Sequence, residues 1–318
     1  MIYHLRHLTS FRYTHPVTFV YNMLHLKPRE LPWQKIKTFK LEIEPEPAVQ
    51  TEGIDYFGNS TTFFMIHSPH DAMKVTTQSI IEVLPRPAAL QPSIPWDTAQ
   101  HIMRADTTAN GLDAYQYSFG SRYAKPLEAA RAYALSSCRP GMSIHAVATE
   151  LMARIDTDFT FDPKATTVAT PVTEVLKNRR GVCQDFAHTM ISCLRSVGLA
   201  ARYMSGYIQT APPPGQARLA GADASHAWVS VYCPQAGWLE LDPTNNQMAD
   251  EQYITLGWGR DYQDVSPAKG VLLGGGKHTV HAQVDMIPES EIIQAQQNRP
   301  QHQSLHQQQQ QQSQYWWL

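Results

Sequence analysis

Apolar and polar side chains alternate with a period near two through much of the first ninety residues. Segments 2–13, 17–26, 36–44, 60–67 and 73–84 are rich in β-branched and aromatic residues, and Asp55-Tyr56-Phe57-Gly58-Asn59 punctuates them as a turn. This pattern predicts a β-rich N-terminal domain over 1–90, built as an antiparallel sheet or small sandwich. Pro85, Pro87, Pro92 and Pro95 then mark a linker, since proline neither continues a central strand nor readily opens a helix. A Pro-rich linker and connecting segment is assigned to 91–124.

The period changes after residue 124. Segments 125–137 and 143–156 have helical composition, with Ser143 as the N-cap of the second. A third helix opens near Cys183, carries Phe186, Met190, Cys193, Leu194 and Val197 on one stripe, and stops at Gly198. Strands at 201–209, 226–233, 237–242 and 278–287 follow. Helices first and an antiparallel sheet after define an α+β core over 125–287. Residues 288–318 hold twelve glutamines in the last 25 positions and few apolar side chains before Tyr315-Trp316-Trp317-Leu318, which predicts a disordered tail.

Composition narrows the function classes. With 42% hydrophobic residues, 17% charged residues and a formal net charge of −2, the 318-residue chain lacks the basic field that attracts nucleic acid. No window approaches the roughly 18 apolar residues of a membrane helix, and Met1–His7 lacks the apolar stretch of a signal peptide, so the expectation is a cytoplasmic protein without a membrane partner. Cys138, Cys183, Cys193 and Cys233 are widely spaced free thiols rather than a disulfide scaffold. The fourteen histidines show no HExxH spacing, and no metal or cofactor is expected.

Chemistry concentrates in Arg179-Arg180-Gly181-Val182-Cys183-Gln184-Asp185. A cysteine at a helix start gains from unpaired N–H groups and the helix dipole, which favour its thiolate; Gly181 permits close backbone approach, and Arg179 and Arg180 add positive charge. Asp185, in the first turn, reads as a hydrogen-bonding residue. Cys193 belongs to the apolar stripe. Downstream, Ala227, Val229 and Val231 share one strand face while His226, Trp228, Ser230 and Tyr232 share the other. Leu239 and Leu241 must join the first face, leaving Glu240 and Asp242 on the His226 side. Pairing 227 with 241 and 229 with 239 sets His226 directly opposite Asp242, provided the connection has an odd length. Cys183, His226 and Asp242 are thus candidates for nucleophile, base and orienting carboxylate, the parts of a cysteine acyl-transfer centre.

With Gly181–Ala187, Ser225-His226-Ala227-Trp228 and Asp242-Pro243-Thr244 assembled, the chain resembles the transglutaminase-like superfamily, which is papain-related in fold. Tyr13–Val17, Asp55–Asn59 and Asp264–Val271 resemble its bacterial branch, which has a β-rich N-terminal domain. The resemblance implies that Cys183 attacks a carboxamide to form a thioester, with His226 as base and then acid and Asp242 orienting His226. The implied partner is a peptide or protein amide. Simple hydrolysis is the first expectation, cross-linking of glutamine to an amine the second, and a non-enzymatic binding module the third. Papain-like proteases carry an oxyanion-stabilising glutamine six residues before the cysteine, where this chain has Lys177; the Cys183 backbone N–H supplies one donor. Calcium loops of the animal enzymes are not recognisable. Trp228, Trp258, Tyr207 and Tyr262 are candidates to line an acyl-side cleft, with core packing as the alternative.

Overall fold

The computed structural model describes residues 1–86, 93–210 and 225–297. The chain opens with five strands, β1 (Ile2–Leu24), β2 (Gln34–Glu44), β3 (Val49–Ile54), β4 (Ser60–Ile66) and β5 (His70–Val83). Helices α1 (Trp96–Ala105), α2 (Ala109–Tyr115), α3 (Glu128–Leu135) and α4 (Ile144–Asp158) follow. Next come β6 (Thr160–Phe161), α5 (Val172–Asn178), β7 (Arg180–Gly181), α6 (Cys183–Ser196), β8 (Ala201–Ile208), β9 (Ser225–Cys233), β10 (Gly237–Asp242), β11 (Gln247–Met248) and β12 (Tyr253–Gly259). The described chain ends with β13 (Ala268–Gly274), β14 (His278–Pro288) and α7 (Glu289–Gln297). The α+β class holds.

A seven-stranded sheet is organised around β1, which is long enough to take two partners on each side. Along one side it pairs with β5 and then β4, and along the other with β14 and then β13, all antiparallel. The two strands expected at 2–13 and 17–26 are therefore one strand passing through Pro16. Pro16 is tolerated because it lies where the ladder changes partners: pairing with β14 ends at Tyr13 and pairing with β13 resumes at Val17. Strand β3, which went unpredicted, is exposed at every position, so no buried face stamps an alternation on it; its ladder to β4 alone defines it.

The largest correction concerns the C-terminal strands. Segment 278–287 was expected to complete the core, but β14 joins the N-terminal sheet, and β13, unpredicted, lies beside it. Val284 and Met286 explain the choice. They are buried with Tyr3, Leu5, Ile81 and Val83, and this cluster also contains Tyr207, Ile254 and Leu256 from the smaller sheet. The connecting segment needs correcting too: α1 starts immediately after Pro95, whose fixed φ and missing N–H cost nothing ahead of the first helical turn. The tail expectation fails at 289–297, which is helical; the rest of the tail, including Tyr315-Trp316-Trp317-Leu318, lies outside the described residues.

The smaller sheet is antiparallel, in the order β11-β10-β9-β8-β12. Helix α6 packs Phe186, Met190, Cys193 and Leu194 against Ala201, Tyr203, Ala227, Val229, Val231 and Leu241 of this sheet, in a core completed by α3, α4 and α5. Gly198, at φ +81°, ends the helix in the left-handed conformation expected for it. Ser143 caps α4 by accepting from the Ala146 N–H. Arg195, buried on α6, donates to the carbonyls of Tyr117, Ala124, Ala201 and Arg260, tying the helix to four segments at once. Among the described residues no helix is long and apolar enough to cross a membrane.

The two sheets meet along β12. Asn59, from the turn singled out in the sequence, accepts from Trp258 N with Oδ1 (3.0 Å) and donates Nδ2 to Trp258 O (2.8 Å), while Arg29 donates to the same Oδ1 (2.8 Å). Buried Gln34 treats Thr255 likewise, accepting from its N–H and donating to its carbonyl. Both amides grip the strand around a register shift between Thr255 and Gly257. Orphaning a buried polar group costs about 1–3 kcal/mol, so Asn59→Ala should lose about 2 kcal/mol or more in denaturant unfolding; an unchanged midpoint would contradict the clamp. Truncation before His278 should lower the thermal midpoint sharply, because β1 then loses its β14 ladder over Tyr3–Tyr13 and keeps β5 on the other side alone; circular dichroism melting of the shortened chain checks this.

Candidate active site

Cys183 is the first residue of α6 and is half-buried. Two residues on, Asp185 turns its buried carboxylate back to accept from Val182 N (2.9 Å) and from Thr166 Oγ1 (2.6 Å), closing the helix start. Gly181 is required beside it, since a Cβ there would stand 2.6 Å from Asp185 Oδ2. Asp185 is thus the hydrogen-bonding residue the sequence indicates. The two arginines do not act as expected. Arg179 pairs with Asp158 (2.7 Å) and packs on Tyr133 and Phe159, and Arg180 lies 3.6 Å from Asp162, so each charge is matched by a carboxylate. Lys177 sits exposed in the last turn of α5.

Strands β9 and β10 deliver the other two side chains. The connection is Pro234 to Ala236, of odd length as expected, but the register is two residues away from the anticipated one: Val229 faces Leu241 and Val231 faces Leu239. A two-residue slip conserves the faces, because side chains repeat every second position. His226 reaches Asp242 diagonally, with Nε2 2.6 Å from Oδ2, and its main-chain partner is Gly206 of β8.

Asp242 has no exposed surface, and its charge is met by several donors. Asn245 Nδ2 and the Tyr253 hydroxyl each donate to Oδ2 at 2.7 Å, and Thr244 N donates to Oδ1 at 2.9 Å. Gln247 in turn donates to the Tyr253 oxygen (2.7 Å). Burial works to raise the Asp242 carboxyl, but the bonds from His226, Asn245 and Tyr253 outweigh it and hold the group below the usual carboxylate range. Burial likewise opposes charge on His226, yet its hydrogen bonds to Asp242 and to Cys183 prevail and raise the imidazole to about 10. With Nε2 committed to Asp242, Nδ1 is the nitrogen left for the sulfur. The arrangement holds a charged imidazole between a carboxylate and the cysteine sulfur.

The four aromatic candidates part company. Trp228 is fully buried; its Nε1 donates to Glu240 Oε2 (2.7 Å) and its ring stacks beside His226, with centroids 6.2 Å apart at 19°. Tyr207, also fully buried, points its hydroxyl at Nδ1 of His7 on β1 (2.6 Å). Burial holds that histidine down at about 4, leaving it neutral between Tyr207 and Thr9. Trp258 is held between the guanidinium groups of Arg29 (3.5 Å) and Arg202 (3.9 Å). Tyr262 is half-buried, 6.4 Å from Tyr203, and donates its backbone N–H to His188 of α6 (3.2 Å). Trp228 and Tyr207 present no surface to a substrate and are corrected to packing and docking residues. Sequence reasoning missed Tyr253 and Asn245. Tyr253 lies on the unpredicted β12, and nothing local marks it. Asn245, three residues past Asp242 in the turn after Pro243, was within reach of the motif. Among the described residues no three His, Cys, Asp or Glu side chains are grouped as a metal ion would need.

Residues 3–82 match the bacterial transglutaminase-like N-terminal region and residues 131–243 the transglutaminase-like superfamily core. The chain belongs to the transglutaminase-like superfamily, in its bacterial branch with that N-terminal region. It is 40% identical over 303 residues to an uncharacterized protein of Mycobacterium tuberculosis, covering 92% of this chain and 95% of that one. A stretch of 116 residues is 34% identical to the protein-glutamine gamma-glutamyltransferase of Pseudomonas aeruginosa, spanning 34% of this chain and 17% of that protein. Among solved structures, a Cytophaga hutchinsonii protein described as a candidate cysteine protease shares the fold, with a TM-score of 0.71 over 91% of each chain at 16% identity.

The raised His226 value sets a pH dependence. A histidine whose value rises from 6.5 unfolded to about 10 folded contributes its full stabilisation below pH 6.5 and loses it as pH climbs through about 10. The thermal midpoint should therefore fall between pH 6.5 and 10, and Asp242→Asn should flatten that fall. Equal slopes in parent and variant would contradict the charged pair.

Proposed function

We propose that this protein is a cysteine-dependent hydrolase or acyltransferase of carboxamide or peptide bonds, acting through Cys183, His226 and Asp242. The observation that carries this is His226, hydrogen-bonded to the buried Asp242 at 2.6 Å and near enough to the sulfur of Cys183, at the N-terminus of α6, for that sulfur to favour its charged form. In this reading the Cys183 thiolate, its proton already held by His226, attacks the carbonyl carbon, and the imidazolium protonates the leaving amine or ammonia. A thioester forms, and neutral His226 then takes a proton from water or a second amine as that group attacks the thioester. Asp242 keeps the ring in one tautomer and orientation throughout. The Cys183 backbone N–H, free at the helix start, is a donor for the oxyanion.

Hydrolysis is favoured because water is abundant and no amine-binding feature was found in the sequence. Amine transfer is the second reading, favoured by the likeness to the Pseudomonas aeruginosa glutamyltransferase. All four cysteines are unpaired, which suits the proposed cytoplasmic location.

Ammonia release from a panel of glutamine and asparagine peptides, with and without a fluorescent primary amine, tests both readings: hydrolysis gives ammonia alone, transfer gives ammonia with label incorporated. Cys183→Ala should abolish either product, and adding His226→Ala should cost little more, since the residues act as a unit. His226→Ala alone should lose about 10²–10⁴-fold in turnover, and Asp242→Asn less. Product that survives Cys183→Ala would sink the proposal. Iodoacetamide should label Cys183 rapidly at pH 6 and much more slowly in His226→Ala, a measurement that needs no substrate.

A further inference from the structure

Glu240 is a buried carboxylate on β10, and its partners come from β9 and from the segment that follows β5. Its Oε2 accepts from Trp228 Nε1 (2.7 Å), and its Oε1 meets Arg86 Nη1 at 2.6 Å. Arg86 follows β5, so it belongs to the N-terminal sheet's end of the chain. Its guanidinium lies 5.4 Å from the Trp33 ring centroid, and its Nε is 3.5 Å from Asp250 O. A second cation, the buried Arg202 held between Trp238 and Trp258, also acts on Glu240 electrostatically. A carboxylate this deep is retained only with such partners. The indole it holds lies against His226 and against the tyrosine that donates to Asp242. Trp228 stacks beside His226, and its ring is 5.3 Å from Tyr253, whose hydroxyl donates to Asp242.

We propose that Arg86, Glu240 and Trp228 form a positioning relay through which the docked N-terminal sheet sets the orientation of His226. The proposal rests on His226 serving as the base. The ion pair fixes the carboxylate, the carboxylate fixes the indole through its N–H, and the indole leaves the imidazole one ring orientation between Asp242 and the sulfur. Arg86 and Glu240 are positioning residues, remote from the reacting atoms. Their removal should act on the rate of the step His226 serves and leave substrate affinity alone, because a small rotation of a base costs far more in the transition state than in binding.

Iodoacetamide labelling of Cys183 at pH 6, in the full chain and well below each variant's melting temperature, tests the relay. Arg86→Met and Glu240→Ala should label about tenfold more slowly than the parent, and Arg86→Lys, which keeps the charge, should restore most of the rate. With any amide substrate found active, kcat should fall with KM unchanged. A merely structural ion pair would lower the melting temperature and leave labelling alone, so a folded Arg86→Met that labels within twofold of the parent overturns the relay. If Glu240→Ala does not fold, Arg86→Met carries the measurement. His226→Ala, run alongside, separates the two ideas. Fast labelling in it overturns the base assignment and the relay together, whereas slow labelling in it beside parent-like Arg86→Met overturns the relay only.

Discussion

A fully buried carboxylate governs the architecture around the candidate site. Asp242 stays ionised out of water only because His226, Asn245, Tyr253 and the Thr244 amide all donate to it, and these donors arrive from three stretches of chain. An unpaired charge at that depth would cost several kcal/mol. The strand ends, the turn after Pro243 and the start of β12 must therefore be placed together before the charge is tolerable. The same requirement fixes His226, and through His226 the position at which the N-terminus of α6 presents its sulfur.

That demand spreads outward through the interior. Tyr253 is held against Trp228, Trp228 by Glu240, and Glu240 by Arg86, while Asn59 and Gln34 clamp the strand on which Tyr253 lies. The N-terminal sheet is thus tied to the site from the side opposite α6. Strands β13 and β14 return to that sheet after the core is complete, so the chain leaves and re-enters it. The buried polar residues Gln34, Asn59 and His7 all serve this junction.

What was legible in the sequence was whatever depends on neighbours within a few residues. The helix start at Cys183, the stop at Gly198, the cap at Ser143 and the alternation along β9 and β10 are all local. Parity mattered more than register. The β9–β10 pairing differs by two residues from the one inferred, yet His226 and Asp242 still meet, because a slip of two returns every side chain to its own face and a diagonal pair stays within reach of long side chains. The aromatic candidates failed for the complementary reason: Trp228 and Tyr207 alternate as cleft residues would, but their burial depends on what covers the sheet, and alternation carries no information about that.

By itself, then, the sequence determined the helix that opens at Cys183, the strands that carry His226 and Asp242, the face on which their side chains stand and these three residues as candidates, since all follow from backbone periodicity and capping. Only the tertiary structure decided that β13 and β14 belong with β1, that Pro16 sits inside a strand, that Arg179 and Arg180 are neutralised by carboxylates, that Tyr253 reaches Asp242 and that Arg86 reaches Glu240. These outcomes join residues separated by tens to hundreds of positions. They turn on which apolar faces bury one another and which buried polar groups find partners, a competition settled by the whole fold at once rather than by any local stretch of it.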